Sequence, residues 1–165
     1  MRRIGALLLV ALSGCSGSNQ SSAAGWPFDP VQFFTGHTTG KARLHLITGA
    51  VRNVAVDSHG EPDAHGGLVL VQAIAEDGKP ARTRRWTLHP AGANRWTETL
   101  TDAQGPVVIE RTPTDVVIRY RMKGGLQVEQ HLQLPPGGVA SNHMSISRFR
   151  VRVATLDEQI RKAHA

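Results

Sequence analysis

The chain has 165 residues, 40% hydrophobic and only 5% aromatic, and its 19 basic side chains exceed 13 acidic ones for a formal charge of +6. That length makes one domain of ordinary size, able to bury a core of its own. Its basic residues are scattered, without a block of like charge or aromatic interleaving, which argues against a nucleic-acid partner. The single cysteine, Cys15, excludes any intramolecular disulfide.

Arg2 and Arg3 precede a short apolar run, Ile4 to Leu12, that leads into Ser13-Gly14-Cys15. A positive start, an apolar segment and small residues at the cut are the parts of a secretory signal. The run falls well short of the roughly 20 residues that span a bilayer. Its arrangement resembles a bacterial lipoprotein signal. That resemblance implies removal of residues 1–14 and acyl chains, palmitate among them, on Cys15 as the membrane partner. Two or three chains hold a protein stably where one does not. Ser16, in place of the aspartate that keeps enteric lipoproteins in the inner membrane, points by the same resemblance to the periplasmic face of the outer membrane. Loss of Arg2 and Arg3 lowers the formal charge from +6 to +4.

Residues 16–25, SGSNQSSAAG, are too small and polar to bury anything and form a tether. The folded domain is expected from Trp26 to the end, residues 26–165. Asp29-Pro30 supplies an N-cap and a proline at the first helical position, so Val31, Phe33 and Phe34 should form one short turn, stopped by Gly36.

From there the period is two. Alternating apolar residues recur at Ala42 to Leu46, Val54-Val56, Leu68 to Ile74, Trp86-Leu88, Trp96 to Leu100, Val107-Ile109, Val116 to Met122, Leu126 to Leu134 and Phe149 to Val153. Turn residues such as Gly66-Gly67, Asp77-Gly78, Gly124-Gly125 and Pro135 to Gly138 separate them at hairpin spacing. The pattern predicts an all-β domain: a single antiparallel up-and-down barrel of about eight to nine strands. Closure is preferred over a two-sheet sandwich because it leaves no edges. Thr155-Leu156-Asp157-Glu158 reads as a capping box, and with Ile160 predicts a short C-terminal helix packed on the wall.

Phe33-Phe34-Thr35-Gly36, Gly40, Glu76-Asp77-Gly78, Arg85-Trp86-Thr87-Leu88, Asn142 and Met144, in that order behind a lipoprotein signal, resemble the bacterial DUF3833 family. The resemblance extends over roughly Phe28 to Lys162. It implies a lipocalin-like barrel and an envelope address, and it supplies no catalytic residue.

No catalytic constellation is legible, and no enzymatic activity or cofactor is expected. Ser58-His59 and Ser141-Asn142-His143 place hydroxyls beside imidazoles, but neighbours on a strand point to opposite faces. His59, Glu61, Asp63 and His65 crowd one glycine- and proline-containing loop, where a solvated turn explains them better than a metal site. Arg148, Arg150 and Arg152 occupy one parity of the last predicted strand, and Arg84 shares its parity with Trp86. Such arginines fit a solvated face paired with Glu98, Glu110 and Glu129, or one touching anionic headgroups. The expected function is binding of a small apolar or amphiphilic, lipid-like ligand, with Trp86, Trp96, Met122 and Phe149 as wall residues. The alternative is an assembly lipoprotein with a filled barrel. An apolar cavity of about 300 Å³ or more favours the first reading and a filled interior the second.

Overall fold

The computed structural model describes residues 28–163. The signal, Cys15, the tether and Trp26 lie outside the described residues. Each alternating run from Ala42 to Leu132 becomes a strand: β1 (Gly36–Leu46), β2 (Val51–Pro62), β3 (Leu68–Glu76), β4 (Arg82–Pro90), β5 (Arg95–Leu100), β6 (Val107–Arg111), β7 (Val116–Met122) and β8 (Leu126–Gln133). Two further strands, β9 (Val139–Arg148) and β10 (Val151–Lys162), complete the sheet. Every strand pairs antiparallel with its sequence neighbour, and β10 pairs with β1, so the meander is a closed barrel. The register puts apolar side chains opposite one another on the inner face, as in Ala42 with Val54, Val56 with Ile74, and Leu70 with Trp86.

The barrel therefore has ten strands, not eight or nine. The expected C-terminal helix is strand β10, in which Leu156, Glu158 and Ile160 face inward on a period of two. Thr155 and Glu158 form no capping box, because closure of the sheet outweighs a local helix signal. The run Arg148 to Val153 is not one strand either. The chain reverses at Phe149 and Arg150, whose φ values are 49° and 65°.

One mouth is plugged. Helix α1 (Pro30–Phe34) starts at Asp29, whose Oδ1 accepts from Val31 N at 2.9 Å and Gln32 N at 3.3 Å. It presses Phe33 and Phe34 into the barrel with Phe28, the three rings meeting edge to face at 5.0–6.5 Å. Gly60 makes room, since a Cβ there would lie 1.9 Å from the carbonyl oxygen of Phe34. Two side chains hold the plug's backbone: Arg111 Nε donates to Phe28 O at 3.1 Å, and Lys162 Nζ donates to Thr35 O. The larger apolar cluster runs from this plug through Leu68, Leu88, Ile109, Val116 and Leu132, and a smaller one of Ala42, Leu44, Val54, Val56, Ile74 and Ala154 meets it only through the partly buried Ile146 and Leu156.

Candidate functional site: a polar belt inside the barrel

Several inward stripes carry one polar residue between apolar ones. Gln72 sits between Leu70 and Ile74, Glu98 between Trp96 and Leu100, Gln130 between Val128 and Leu132, Asn142 between Ala140 and Met144, and Glu158 between Leu156 and Ile160. Because alternate residues share a face, these side chains all enter the lumen. With Arg84, Ser58 and Tyr120 they form a polar belt. A cavity of about 40 Å³ lies against it, lined by Gln72, Arg84, Glu98, Gln130, Asn142 and Glu158 on the polar side. Leu70, Leu88, Ile109, Ile118, Leu132 and the plug residue Phe34 line its apolar side.

The belt is partly wired. Gln72 Oε1 accepts from Arg84 Nε and Trp86 Nε1, both at 2.7 Å, and Gln72 Nε2 donates to Ser58 Oγ at 3.1 Å. The Arg84 guanidinium lies 5.1 Å from the Trp86 ring centroid, and Trp86 meets Tyr120 edge to face at 5.9 Å. Gln130 Nε2 donates to Tyr120 Oη at 3.0 Å, and Asn142 Nδ2 to Glu158 Oε2 at 3.0 Å. Glycine 40 leaves space for that carboxyl, for a Cβ there would be 2.1 Å from Glu158 Oε1.

What remains is unwired. Both carboxyl oxygens of Glu98 and Oδ1 of Asn142 are buried without a hydrogen-bond partner. Burial pushes Glu98 up to about 9, with Arg84 pulling weakly the other way. Burial also raises Glu158, opposed by its bond from Asn142 and by the Arg84 charge. At neutral pH Glu98 is therefore a neutral carboxyl that can donate as well as accept, and Arg84 gives this side of the lumen a positive charge.

Of the expected wall residues, Trp86 lines the cavity. Trp96 is buried in the same apolar cluster, under the Arg111 guanidinium at 5.2 Å, but outside the cavity wall. Met122 is only partly buried against that cluster. Phe149 is corrected: it stands on the β9–β10 turn, 82% exposed, because the chain reverses there. Glu98, expected on the outer wall, is in the lumen. Its parity with Trp96 and Leu100 was the signal for it. The crowded loop also separates: Asp63 Oδ1 accepts from His65 N and Gly67 N, while His59 stacks on His37 at 4.4 Å and both reach Asp57. Ser58 is buried inside and His59 points outward.

A closed antiparallel barrel, plugged at one mouth by a short helix and lined by a mixed polar and apolar wall, defines a lipocalin-like all-β protein. The chain belongs to the family described as "Protein of unknown function (DUF3833)", whose model matches residues 9–162. Among solved structures it is similar to the S-type phycobiliprotein lyase CPES from Guillardia theta, with a TM-score of 0.67 and 7% identity over 82% of this chain and 91% of that one. It is also similar to a redesigned β-barrel, mFAP0, bound to DFHBI, with a TM-score of 0.42 and 13% identity over 79% of this chain and 100% of that one. At 7% identity the likeness to the lyase extends to the fold alone. No curated protein matches the chain.

Proposed function

We propose that the protein is a lipid-anchored binding protein of the cell envelope that holds one amphiphilic ligand in its lumen and performs no chemistry on it. The polar head sits in the belt and the tail runs along Leu70, Ile109 and Leu132 toward α1. The observation that carries this reading is the group of buried, unpartnered atoms on Glu98 and Asn142 facing a cavity. Packed cores satisfy their buried polar groups, and each one left alone costs about 1–3 kcal/mol. An anionic head such as a carboxylate would accept from the Arg84 guanidinium and from protonated Glu98, and a neighbouring hydroxyl would donate to Asn142 Oδ1.

A cavity of about 40 Å³ is far below the roughly 300–1,000 Å³ of ordinary ligand pockets. A tail of several carbons must therefore take the space of Phe34 and Pro30. Entry requires α1, five residues long and held through Arg111 and Lys162, to swing aside. That same small volume favours the second reading, a filled barrel whose surface contacts envelope partners. The anchor rests on the signal pattern ending at Cys15, and the outer-membrane address on Ser16 directly after it.

Mass spectrometry of the protein purified from its native envelope in mild detergent tests both parts. The N-terminal peptide should begin at an acylated Cys15, and the folded chain should carry a bound amphiphile. An unmodified cysteine contradicts the anchor, and a chain free of ligand supports the filled barrel.

A further inference from the structure

Four of the six exposed large apolar side chains among the described residues gather at one place, Val71 and Val108 being the two elsewhere. Ile47, Val51, Phe149 and Val151 are 64%, 48%, 82% and 54% exposed, the four most exposed large hydrophobic residues among the described ones. All lie at the β1–β2 and β9–β10 turns, at the mouth opposite α1. The β1–β2 turn reaches the first residues of β10, Ile47 N donating to Val153 O at 2.9 Å. Arg148, Arg150 and Arg152 stand exposed beside them, and none of the three joins an ion pair among the described residues. The acidic residues of the nearby β3–β4 turn are already engaged, Glu76 by Arg52 at 2.7 Å and Asp77 by the Asn53 amide groups.

The β9–β10 turn is also conformationally costly. Phe149 and Arg150 both hold positive φ, 49° and 65°, the backbone of a type I′ hairpin turn, for which Asn-Gly is the preferred pair. Bulky side chains in that region are strained, and strain kept at an exposed tip directs attention to function. Asn-Gly would stabilise the hairpin but would remove the aromatic ring and a guanidinium from the tip.

We propose that this mouth docks on the anionic surface of a phospholipid bilayer, with Phe149, Val151, Ile47 and Val51 entering the headgroup layer and the three arginines pairing with lipid phosphates. The occupant follows from charge complementarity. The cluster is apolar at its centre and cationic at its rim, the neighbouring carboxylates Glu76, Asp77 and Glu129 are held by Arg52, Asn53 and Arg119, and guanidinium groups match phosphate oxygens two at a time. Docking is separate from the lipid anchor and from the lumen ligand. It is geometrically compatible with the anchor, since residues 16–27 can extend about 40 Å, while an eleven-residue strand such as β1 spans at most about 37 Å.

The chain from Ser16, which keeps α1 and all ten strands but has neither signal nor acylated cysteine, should co-sediment with vesicles containing phosphatidylglycerol, should be released by salt, and should ignore pure phosphatidylcholine. The double substitution Phe149→Asn with Arg150→Gly should raise the melting temperature and weaken vesicle binding at least tenfold. Arg95→Gln, exposed at the start of β5 at the α1 end of the outer wall and paired there with Glu110, should leave binding unchanged. Failure of the unsubstituted chain to bind anionic vesicles, or undiminished binding by the stabilised double variant, would overturn the proposal.

Discussion

Along the middle of the outer wall, several charges find partners: Arg119 reaches Glu129 at 2.7 Å and Glu110 at 3.6 Å, Arg95 reaches Glu110 at 2.7 Å, Arg82 reaches Asp102 at 2.6 Å and His143 reaches Asp157 at 2.6 Å. Inside, where an unmet polar group costs far more, Glu98 and Asn142 Oδ1 have none, and Arg84 shares only the Gln72 oxygen with Trp86. Water can satisfy a charge on the outer wall whether or not it is paired. In the lumen only a protein group, a trapped water or a ligand can do so. The outer charges thus read as a solvated, cross-linked surface and the inner ones as a prepared site.

Three substitutions probe that contrast. Trp86→Ala removes the ring that packs on Arg84 and Tyr120 and frees its hydrogen bond to Gln72. It should cost about 3–5 kcal/mol in denaturant unfolding, as for a buried aromatic; a loss below about 1 kcal/mol would mean the belt is not packed as described.

Glu98→Gln should act through pH. The folded barrel keeps Glu98 protonated up to about 9, whereas the unfolded chain releases that proton near 4.3. Between those values unfolding releases a proton, so stability falls as pH rises, by up to about 1.4 kcal/mol per pH unit. Glutamine keeps the shape of the neutral carboxyl and cannot ionise. The variant should be clearly more stable at pH 8, equal to the parent at pH 4.5, and flatter in between, with a residual slope from Glu158, which is shifted in the same direction. Parallel melting profiles for the two proteins would place Glu98 in water.

The smallest effect belongs outside. Arg119→Ala breaks two ion pairs, yet the side chain is half exposed, and the melting temperature should move by no more than about 1 kcal/mol of stability implies. A larger change would erase the difference between the two walls.

The alternating apolar runs marked β1 to β8, because each carries at least two residues of one parity between clear turn residues. The last two strands were hidden for separate reasons. The inward stripe of β9 is Ala140, Asn142 and Met144, too small and polar to stand out as apolar alternation. The β9–β10 turn has Phe149-Arg150 where glycine or asparagine usually mark a reversal, so a two-residue turn looked like strand and β10 looked like helix. The N-terminal turn was legible because Asp29 and Pro30 act locally. The belt was half legible. The parity of Arg84 with Trp86 and of Glu98 with Leu100 places both inside, but only closure of the barrel brings them beside Asn142 and Glu158.

Tryptophan fluorescence during titration with a medium-chain fatty acid tests the central claim most directly, because Trp86 lines the cavity and its indole N–H shares the Gln72 oxygen with Arg84. The signal should change saturably in the parent protein, and Arg84→Met, which keeps the stem and deletes the cation, should weaken binding at least tenfold while the fold survives. A well-folded parent with no saturable response, or an Arg84→Met variant that binds equally well, would contradict a lumen built to hold an anionic head.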